Sequence, residues 1–189
     1  MKILIGITGA TGVILGVRLL EVLKDAKGVS KTYLVISDAA EKIIAMETRY
    51  DLEYIKNLGD EFYKNSDFLS PLASGSFVSF NLDASVIVPC SMKTLSSVAN
   101  GYSENLISRI CDVSIKQNKK LILVPRETPL SLVHLKNMVA AKEAGAIIIP
   151  PVMGFYHKPK TLEDMIDFIV GKILDSLNLE HNLYKKWGS

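Results

Sequence analysis

Short runs of Val, Ile and Leu recur along the chain, and each is followed by a longer stretch of mixed polarity. The runs lack the polar alternation of a strand that has one face in water. They therefore predict strands that are covered on both faces, as in a parallel sheet wrapped by helices. The five runs occupy residues 3–7, 32–36, 85–88, 121–124 and 146–149.

Six helices are predicted between and after these runs. Ser37 or Asp38 can cap the second, Thr161 and Asp164 form a capping-box pattern at the last, and Gly145 ends the fifth. The helices span residues 13–25, 39–47, 92–100, 105–117, 131–144 and 162–177. The expected fold is α/β, a single doubly wound, Rossmann-like parallel sheet with helices on both faces, although the pattern does not give the strand order.

Residues 51–80 show neither periodicity clearly, because Ser, Asn, Asp and Gly interrupt them. They retain Phe68, Leu72 and Phe77, which a flexible linker would not need. We therefore expect an ordered excursion over the sheet.

Composition limits the domain organisation and the partners. The chain has 189 residues, of which 48% are hydrophobic, so one core and one domain, residues 1–189, are expected. Lys and Arg number 22 against 20 Asp and Glu, a balance without the basic field that nucleic-acid binding needs. The apolar runs are too short to span a bilayer, and residues 4–7 resemble a first strand more than a signal segment. A cytoplasmic protein without nucleic-acid or membrane partners is predicted.

The first run ends in a glycine turn that leads into a helix. Backbone N–H groups and the helix dipole at such a junction favour a phosphate, and Gly9 and Gly12 allow close approach. The turn therefore indicates a nucleotide or flavin phosphate, with a plain strand-to-helix turn as the alternative. Its spacing to Gly16 is not that of the dinucleotide fingerprint.

Hydroxyl groups and cations follow the other runs. In a parallel sheet these positions meet at the carboxyl edge, where ligands bind. Ser37 follows the second run, residues 91–94 follow the third, and Arg126 and Glu127 follow the fourth between two prolines. Together they predict a phosphorylated ligand. The alternatives are simple helix capping by Ser91 and an ion pair of Arg126 with Glu127.

Three cations lie on predicted helices. Arg109 and Lys116 share one face, with Asp112 between them, so an ion pair on a solvated face is the ordinary interpretation. Lys172 lies in an apolar stripe. Either its stem packs there with the ammonium in water, or the ammonium meets an anion.

Two other chemistries receive little support. Cys90 has no evident base, since the three histidines are scattered, and it is expected to be a small buried residue. No spacing typical of a metal site occurs, so chemistry without a metal is expected.

The glycine turn also resembles that of short-chain dehydrogenases, which present a Tyr and a Lys four residues apart on one helix. Tyr156 and Lys160 have this spacing, but Pro159 lies between them and breaks the helix that would align them.

As an ordered set, the segments resemble the flavin prenyltransferases of the UbiX/Pad family, which have the flavin-containing decarboxylase-like fold. The resemblance runs nearly from end to end. The matching segments are residues 6–12, Ser37, Glu47 and Thr48, and residues 73–77, 89–94, 105–112, 126–130, 137–138 and 150–156.

This resemblance implies transfer of a dimethylallyl group from dimethylallyl monophosphate to N5 and then C6 of reduced FMN. The product is prenylated FMN, the cofactor of UbiD-type decarboxylases. The rivals are an FMN-dependent decarboxylase of the same fold and a non-catalytic FMN-binding subunit of a decarboxylase.

The resemblance also assigns residues. Those implied to hold FMN are Gly9, Ala10, Thr11, Ser37, Ser91, Met92, Lys93, Thr94 and Arg126. Those implied to hold the prenyl phosphate are Tyr156 and Lys172, with Arg109, Lys116 and Glu127 joining from neighbouring subunits of a homododecamer. Catalytic roles fall to Thr11, Glu47 and Glu127, while Trp187 adds to the aromatic wall and a tail from about residue 178 covers the site.

Three departures from the family pattern affect donor fit and rate more than reaction type. Thr11 stands where Ser is frequent, and Lys172 stands where Arg is frequent, which replaces a two-pronged donor with a point charge. Met153 and Gly154 replace a more usual Pro-Ala pair.

Overall fold

Six parallel strands form one sheet in the computed structural model, which describes residues 1–188; Ser189, the last residue of the predicted domain, lies outside them. The strands are β1 (Lys2–Ile7), β2 (Lys31–Ile36), β3 (Glu61–Lys64), β4 (Ala84–Cys90), β5 (Lys120–Pro125) and β6 (Ile147–Ile148). The helices are α1 (Val13–Lys24), α2 (Asp38–Glu47), α3 (Leu52–Lys56), α4 (Gly75–Asn81), α5 (Met92–Ala99), α6 (Leu106–Lys116), α7 (Leu132–Glu143) and α8 (Leu162–Leu177), with a 3₁₀ turn at Pro71–Ala73.

Alternate residues of each strand enter separate hydrophobic cores on the two faces of the sheet. In β1, Ile3, Ile5 and Ile7 belong to the core that includes α1 and α8, whereas Leu4 belongs to the core that includes α6. This follows from the two-residue period of a strand. The predicted doubly wound α/β sheet is confirmed.

The strand order is β3-β2-β1-β4-β5-β6. The chain builds outward from β1 to one edge and then crosses to β4 on the other side of β1. Connections leave the sheet in opposite directions at this point, which opens a crevice between the carboxyl ends of β1 and β4.

Residues 51–80 are ordered, as predicted, but they also extend the sheet. They contain α3, α4 and the 3₁₀ turn as well as β3, which pairs with β2 as an edge strand. The prediction of five strands was therefore wrong by one. β3 has only Phe62 and Tyr63 between charged residues, because an edge strand has one neighbour and needs little apolar surface.

The local helix signals are confirmed. Ser37 caps α2, and Thr161 and Asp164 form a reciprocal capping box on α8. Gly145 follows the end of α7 with a φ of 107°, a conformation that suits glycine. Within residues 1–188, no helix is both long and apolar enough to cross a membrane.

Candidate active site

A cavity of about 450 Å³ lies at the crevice between β1 and β4, and its volume is in the range of small-molecule sites. Loops that follow β1, β2, β3 and β4 contribute to its wall. The lining residues are Thr8, Gly9, Ser37, Asp38, Ala39, Asn65, Ser91, Met92, Lys93, Thr94, Asn105 and Ile107.

The N-termini of α2, α5 and α6 border this cavity, and those of α2 and α5 are capped by serines. The Ser37 hydroxyl accepts the Ala40 N–H at 3.2 Å at the start of α2. The Ser91 hydroxyl accepts the Thr94 N–H at 3.3 Å at the start of α5, and it lies 3.1 Å from the Thr94 hydroxyl. Helix capping by Ser91 is thus real, and it leaves both hydroxyl groups on the wall of a cavity that suits an anion.

Thr8 joins the two sides of the crevice. Its hydroxyl donates to the Pro89 carbonyl at 2.7 Å and accepts the Ser91 N–H at 2.8 Å, and the residue is 2% exposed. These bonds fix the distance between the ends of β1 and β4. Sequence reasoning overlooked Thr8 because its hydroxyl lies inside the glycine turn and has no distinguishing neighbour.

Asn65 was also overlooked. It follows β3, the strand that the hydrophobic pattern did not reveal. Its backbone carbonyl accepts the Leu106 N–H at 2.8 Å, and its side-chain oxygen accepts the Ile107 N–H at 3.0 Å. Asn65 therefore satisfies the first N–H groups of α6 beside the cavity.

The glycine turn already holds a carboxylate of the chain itself. The Gly12 N–H donates to Glu47 Oε2 at 2.8 Å, at the start of α1. Thr11, half-buried, immediately precedes this bond, so Glu47 and Thr11 lie at the same turn. An anion at this helix N-terminus would meet a negative charge, whereas the starts of α2 and α5 open into the cavity.

The predicted FMN-binding residues separate into two groups. Those on the cavity wall are Gly9, Ser37, Ser91, Met92, Lys93 and Thr94, whereas Ala10, Thr11 and Arg126 are outside the lining set. The Lys93 side chain is 75% exposed and pairs with Glu104 at 2.7 Å. Arg126 is half-buried, and its backbone N–H donates to the Cys90 carbonyl at 3.1 Å.

A second cluster surrounds Lys172 on α8. Lys172 Nζ lies 5.4 Å from the ring centroid of Phe168 and 4.9 Å from that of Tyr184. The Tyr156 ring packs edge-on against Phe168 at 5.7 Å and against Trp187 at 5.3 Å. Interaction with the Tyr184 hydroxyl raises the pKa of Lys172 despite its partial burial, so the ammonium is charged at neutral pH.

His157 lies beneath this cluster. Its ring stacks on Phe168 with a centroid distance of 4.9 Å, and both of its ring nitrogens are buried without a hydrogen-bond partner among residues 1–188. Sequence reasoning counted His157 only as one of three scattered histidines. Its stacking depends on how the loop before α8 folds back onto that helix, which the local sequence pattern does not show.

The remaining predicted residues join neither group in one chain. Arg109 forms the ordinary ion pair with Asp112 at 2.8 Å, and its Nε also donates to the Ala73 carbonyl at 3.2 Å. Lys116 is exposed at the end of α6. Glu127 is exposed, and its carboxylate accepts the Thr128 N–H at 2.9 Å.

Both cysteines are buried thiols. Burial raises the pKa of Cys90 well above its ordinary value and raises that of Cys111 to about 12. Neither thiol ionises near neutral pH, which agrees with the interpretation of Cys90 as a small buried residue. Across residues 1–188, no three His, Cys, Asp or Glu side chains are grouped to hold a metal ion.

Comparison with known proteins connects this geometry to a family. The Flavoprotein family model matches residues 1–174. A flavin prenyltransferase UbiX from Methanocaldococcus jannaschii is 52% identical over 189 residues, which cover 100% of both chains.

Two solved structures are similar along the whole chain. A dodecameric FMN-dependent UbiX-like decarboxylase from Escherichia coli O157:H7 has a TM-score of 0.95 and 40% identity, with 100% of both chains covered. AnUbiX in complex with FMN and dimethylallyl pyrophosphate has a TM-score of 0.94 and 42% identity, covering 100% of this chain and 97% of that one. The chain therefore belongs to the Flavoprotein family, and within it to the UbiX flavin prenyltransferases.

Proposed function

We propose that the protein transfers a dimethylallyl group from dimethylallyl monophosphate to N5 and C6 of reduced FMN, which gives prenylated FMN. One observation carries this proposal. The charged ammonium of Lys172, whose side chain is 41% exposed, lies over the rings of Phe168 and Tyr184, and the chain also has a hydroxyl-lined cavity at the carboxyl ends of its strands. An anion site with aromatic walls suits an allylic phosphate, and the cavity suits a flavin phosphate.

The cavity fits FMN through its donor groups. The starts of α2 and α5, with Ser37, Ser91 and Thr94, are the proposed phosphate site, because the start of α1 is occupied by Glu47. Gly9 lies against Ala39, where a Cβ would come within 2.6 Å of the Ala39 Cβ. The backbone thus forms that part of the wall. When bound, reduced FMN supplies the nucleophilic atoms that accept the prenyl group.

Departure of the phosphate requires positive charge around it. Lys172 supplies this charge from within the chain, together with the half-buried Arg126. Arg109 and Lys116 are proposed to join from neighbouring subunits. Fixed cations stabilise the charge that develops on the leaving phosphate, and the faces of Tyr156 and Trp187 stabilise the developing allyl cation. This arrangement needs no metal ion, so activity is expected to persist in the presence of a chelator.

Three residues are proposed to move or orient protons. The Gly12 N–H holds one oxygen of Glu47 and leaves the other available, with the Thr11 hydroxyl on the same turn. We assign Glu47 and Thr11 to the reacting edge of the flavin. Glu127, exposed on the loop after β5, is assigned to the site of an adjacent subunit.

The proposed assembly is a homododecamer like that of the Escherichia coli relative. The α7 helix supports assembly, because it exposes apolar side chains that a monomer would leave in water. These are Leu132, Val133, Leu135 and Val139. The product is proposed to serve a UbiD-type decarboxylase in the cytoplasm. Light scattering combined with an activity assay tests the assembly, because a fully active monomer would contradict a site shared between subunits.

The decisive experiment is anaerobic incubation of the protein with reduced FMN and dimethylallyl monophosphate, followed by mass spectrometry of the flavin. The expected result is a flavin that has gained one dimethylallyl unit. Bound FMN that stays unmodified would contradict the transferase, and would favour an FMN-dependent decarboxylase or an FMN-binding subunit instead.

A further inference from the structure

One carboxylate ties the C-terminal tail, residues 178–188, to α8. Asp175 Oδ2 accepts the hydroxyl of Tyr184, while Oδ1 lies 3.2 Å from His181 Nε2 and 3.1 Å from Lys186 Nζ. Burial raises the pKa of Asp175, but hydrogen bonds from Tyr184, Lys186 and His181 outweigh it and lower the pKa below its ordinary value. Asp175 is therefore an anion at neutral pH, with both oxygens engaged.

Lys172 forms only a long ion pair with this carboxylate. Its Nζ is 3.9 Å from Asp175 Oδ2, which is beyond hydrogen-bond distance, and the same oxygen accepts the Tyr184 hydroxyl. The Tyr184 ring also packs beneath Nζ at 4.9 Å. Tyr184 thus contacts both the cation and its counter-ion.

We propose that the Tyr184–Asp175 hydrogen bond positions Lys172 for the prenyl phosphate. The Tyr184 hydroxyl donates to Oδ2 and so offsets part of its negative charge, which keeps the attraction of Asp175 for Lys172 weak and leaves the ammonium N–H groups available for the donor phosphate. This inference rests on the proposed function in one respect, namely that Lys172 contacts the donor.

The physical consequence of losing the hydroxyl is specific. Without that hydrogen bond, Oδ2 carries more uncompensated charge 3.9 Å from Lys172 Nζ, and a small rotation of the lysine side chain would shorten this ion pair. The resulting charge-assisted bond competes with the phosphate for the ammonium. The Tyr184 ring packs on Gly171, and Phe at this position retains that packing and the contact with Lys172.

The test uses the full-length protein loaded with FMN and titrated with dimethylallyl monophosphate in a calorimeter. Tyr184→Phe is expected to raise the donor Kd about tenfold, the size of one lost charge-assisted contact, and to leave the Kd for FMN within about twofold. Adding Asp175→Asn to Tyr184→Phe removes the competing carboxylate. This double variant is expected to return the donor Kd to within about threefold of the starting protein.

Tyr54→Phe is the matched control. It removes another tyrosine hydroxyl that bonds a carboxylate, Glu21 of α1 at 3.3 Å, and it is expected to leave the donor Kd unchanged. An unchanged donor Kd in Tyr184→Phe, an equal weakening of FMN, or no recovery in the double variant would overturn the positioning role.

Binding and product formation are measured separately, so the two proposals fail separately. If Tyr184→Phe shows the expected binding pattern but the unaltered protein makes no prenylated flavin, only the proposed function fails. If prenylated flavin forms and the donor Kd of Tyr184→Phe does not change, only the positioning role fails. Absence of any donor binding to the unaltered protein overturns both.

Discussion

The cavity between β1 and β4 and the cluster around Lys172 are built in opposite ways. In the cavity, short hydroxyl side chains such as Ser37 and Ser91 are held by helix caps, and the starts of α2 and α5 form part of the wall. In the cluster, long side chains from a loop, α8 and the tail meet, and the His157 nitrogens have no partner among residues 1–188. The cavity therefore depends on backbone geometry, and the cluster on side-chain packing. Changes to each should affect different ligands.

The largest effect is expected from a change to the cavity backbone. In Gly9→Val, the new Cβ would lie 2.6 Å from the Ala39 Cβ and displace the start of α2. The FMN Kd should rise about 100-fold, in line with the cost of overpacking. Fluorescence titration with FMN measures this. Gly75→Ala is the control, because Gly75 also lies at a helix start. A Cβ there would have its nearest side-chain neighbour at 3.4 Å, so this variant should melt at nearly the same temperature as the unaltered protein. Unchanged FMN binding in Gly9→Val would show that Gly9 does not form part of the FMN site.

A change to the cluster should act on the donor alone. Lys172→Ala removes the cation that lies over the rings of Phe168 and Tyr184 and should raise the donor Kd about 30-fold while FMN binding is maintained. Calorimetry with each ligand checks the separation, and Lys24→Ala, an exposed lysine at the end of α1, is the control. Equal loss of both ligands would show that Lys172 is structural and that the two regions are one unit.

Changes at Thr11, on the glycine turn, test whether its hydroxyl affects the prenylation rate separately from FMN binding. Thr11→Val keeps the shape and loses the hydroxyl, and should slow prenylation about tenfold with an FMN Kd within about twofold. Thr11→Ser keeps the hydroxyl and should retain most of the rate. Single-turnover mass spectrometry under anaerobic conditions gives both rates. If the valine variant reacts as fast as the serine variant, the hydroxyl has no part in the chemistry.

The smallest effect is expected at Cys90, which lies at the end of β4 near the cavity. Because burial keeps its thiol protonated, Cys90→Ala should change the prenylation rate less than about twofold and destabilise the fold by about 1 kcal/mol. In the folded protein, thiol reagents at neutral pH should modify Cys90 only after denaturant is added. Rapid labelling, or loss of activity in the alanine variant, would reopen a nucleophilic role.

Local signals in the sequence predicted much of the fold. Continuous apolar runs marked five of the strands, and residues such as Ser37, Thr161 and Gly145 marked helix ends, because these effects act over a few neighbouring positions. The sequence pattern did not reveal β3, because an edge strand buries little apolar surface and so carries few hydrophobic residues. The strand order depends on packing between distant segments, which no local pattern carries.

The site was predictable to the same extent. Ser37 after β2 and residues 91–94 after β4 indicated the cavity, since parallel strands bring their ends together, whereas Arg126 after β5 lies outside its lining. The Glu47 bond to Gly12 and the Thr8 bridge were not foreseeable, because each joins segments that are distant in sequence. The Tyr184 contact with Asp175 spans only nine residues, but the tail that makes it has no regular structure, so no periodic pattern of residues indicated it.

The Lys172 cluster has a consequence for how such enzymes diversify. Tyr156, Lys172, Tyr184 and Trp187 belong to one uninterrupted stretch, whereas the cavity draws on four separate strand ends. A single recombination near the end of the gene can thus exchange these four residues at once, whereas Arg109, Lys116, Arg126 and Glu127, which are also proposed to serve the donor, lie outside the stretch. Part of the preference for the prenyl donor can then change while the cavity proposed for the flavin is inherited unchanged.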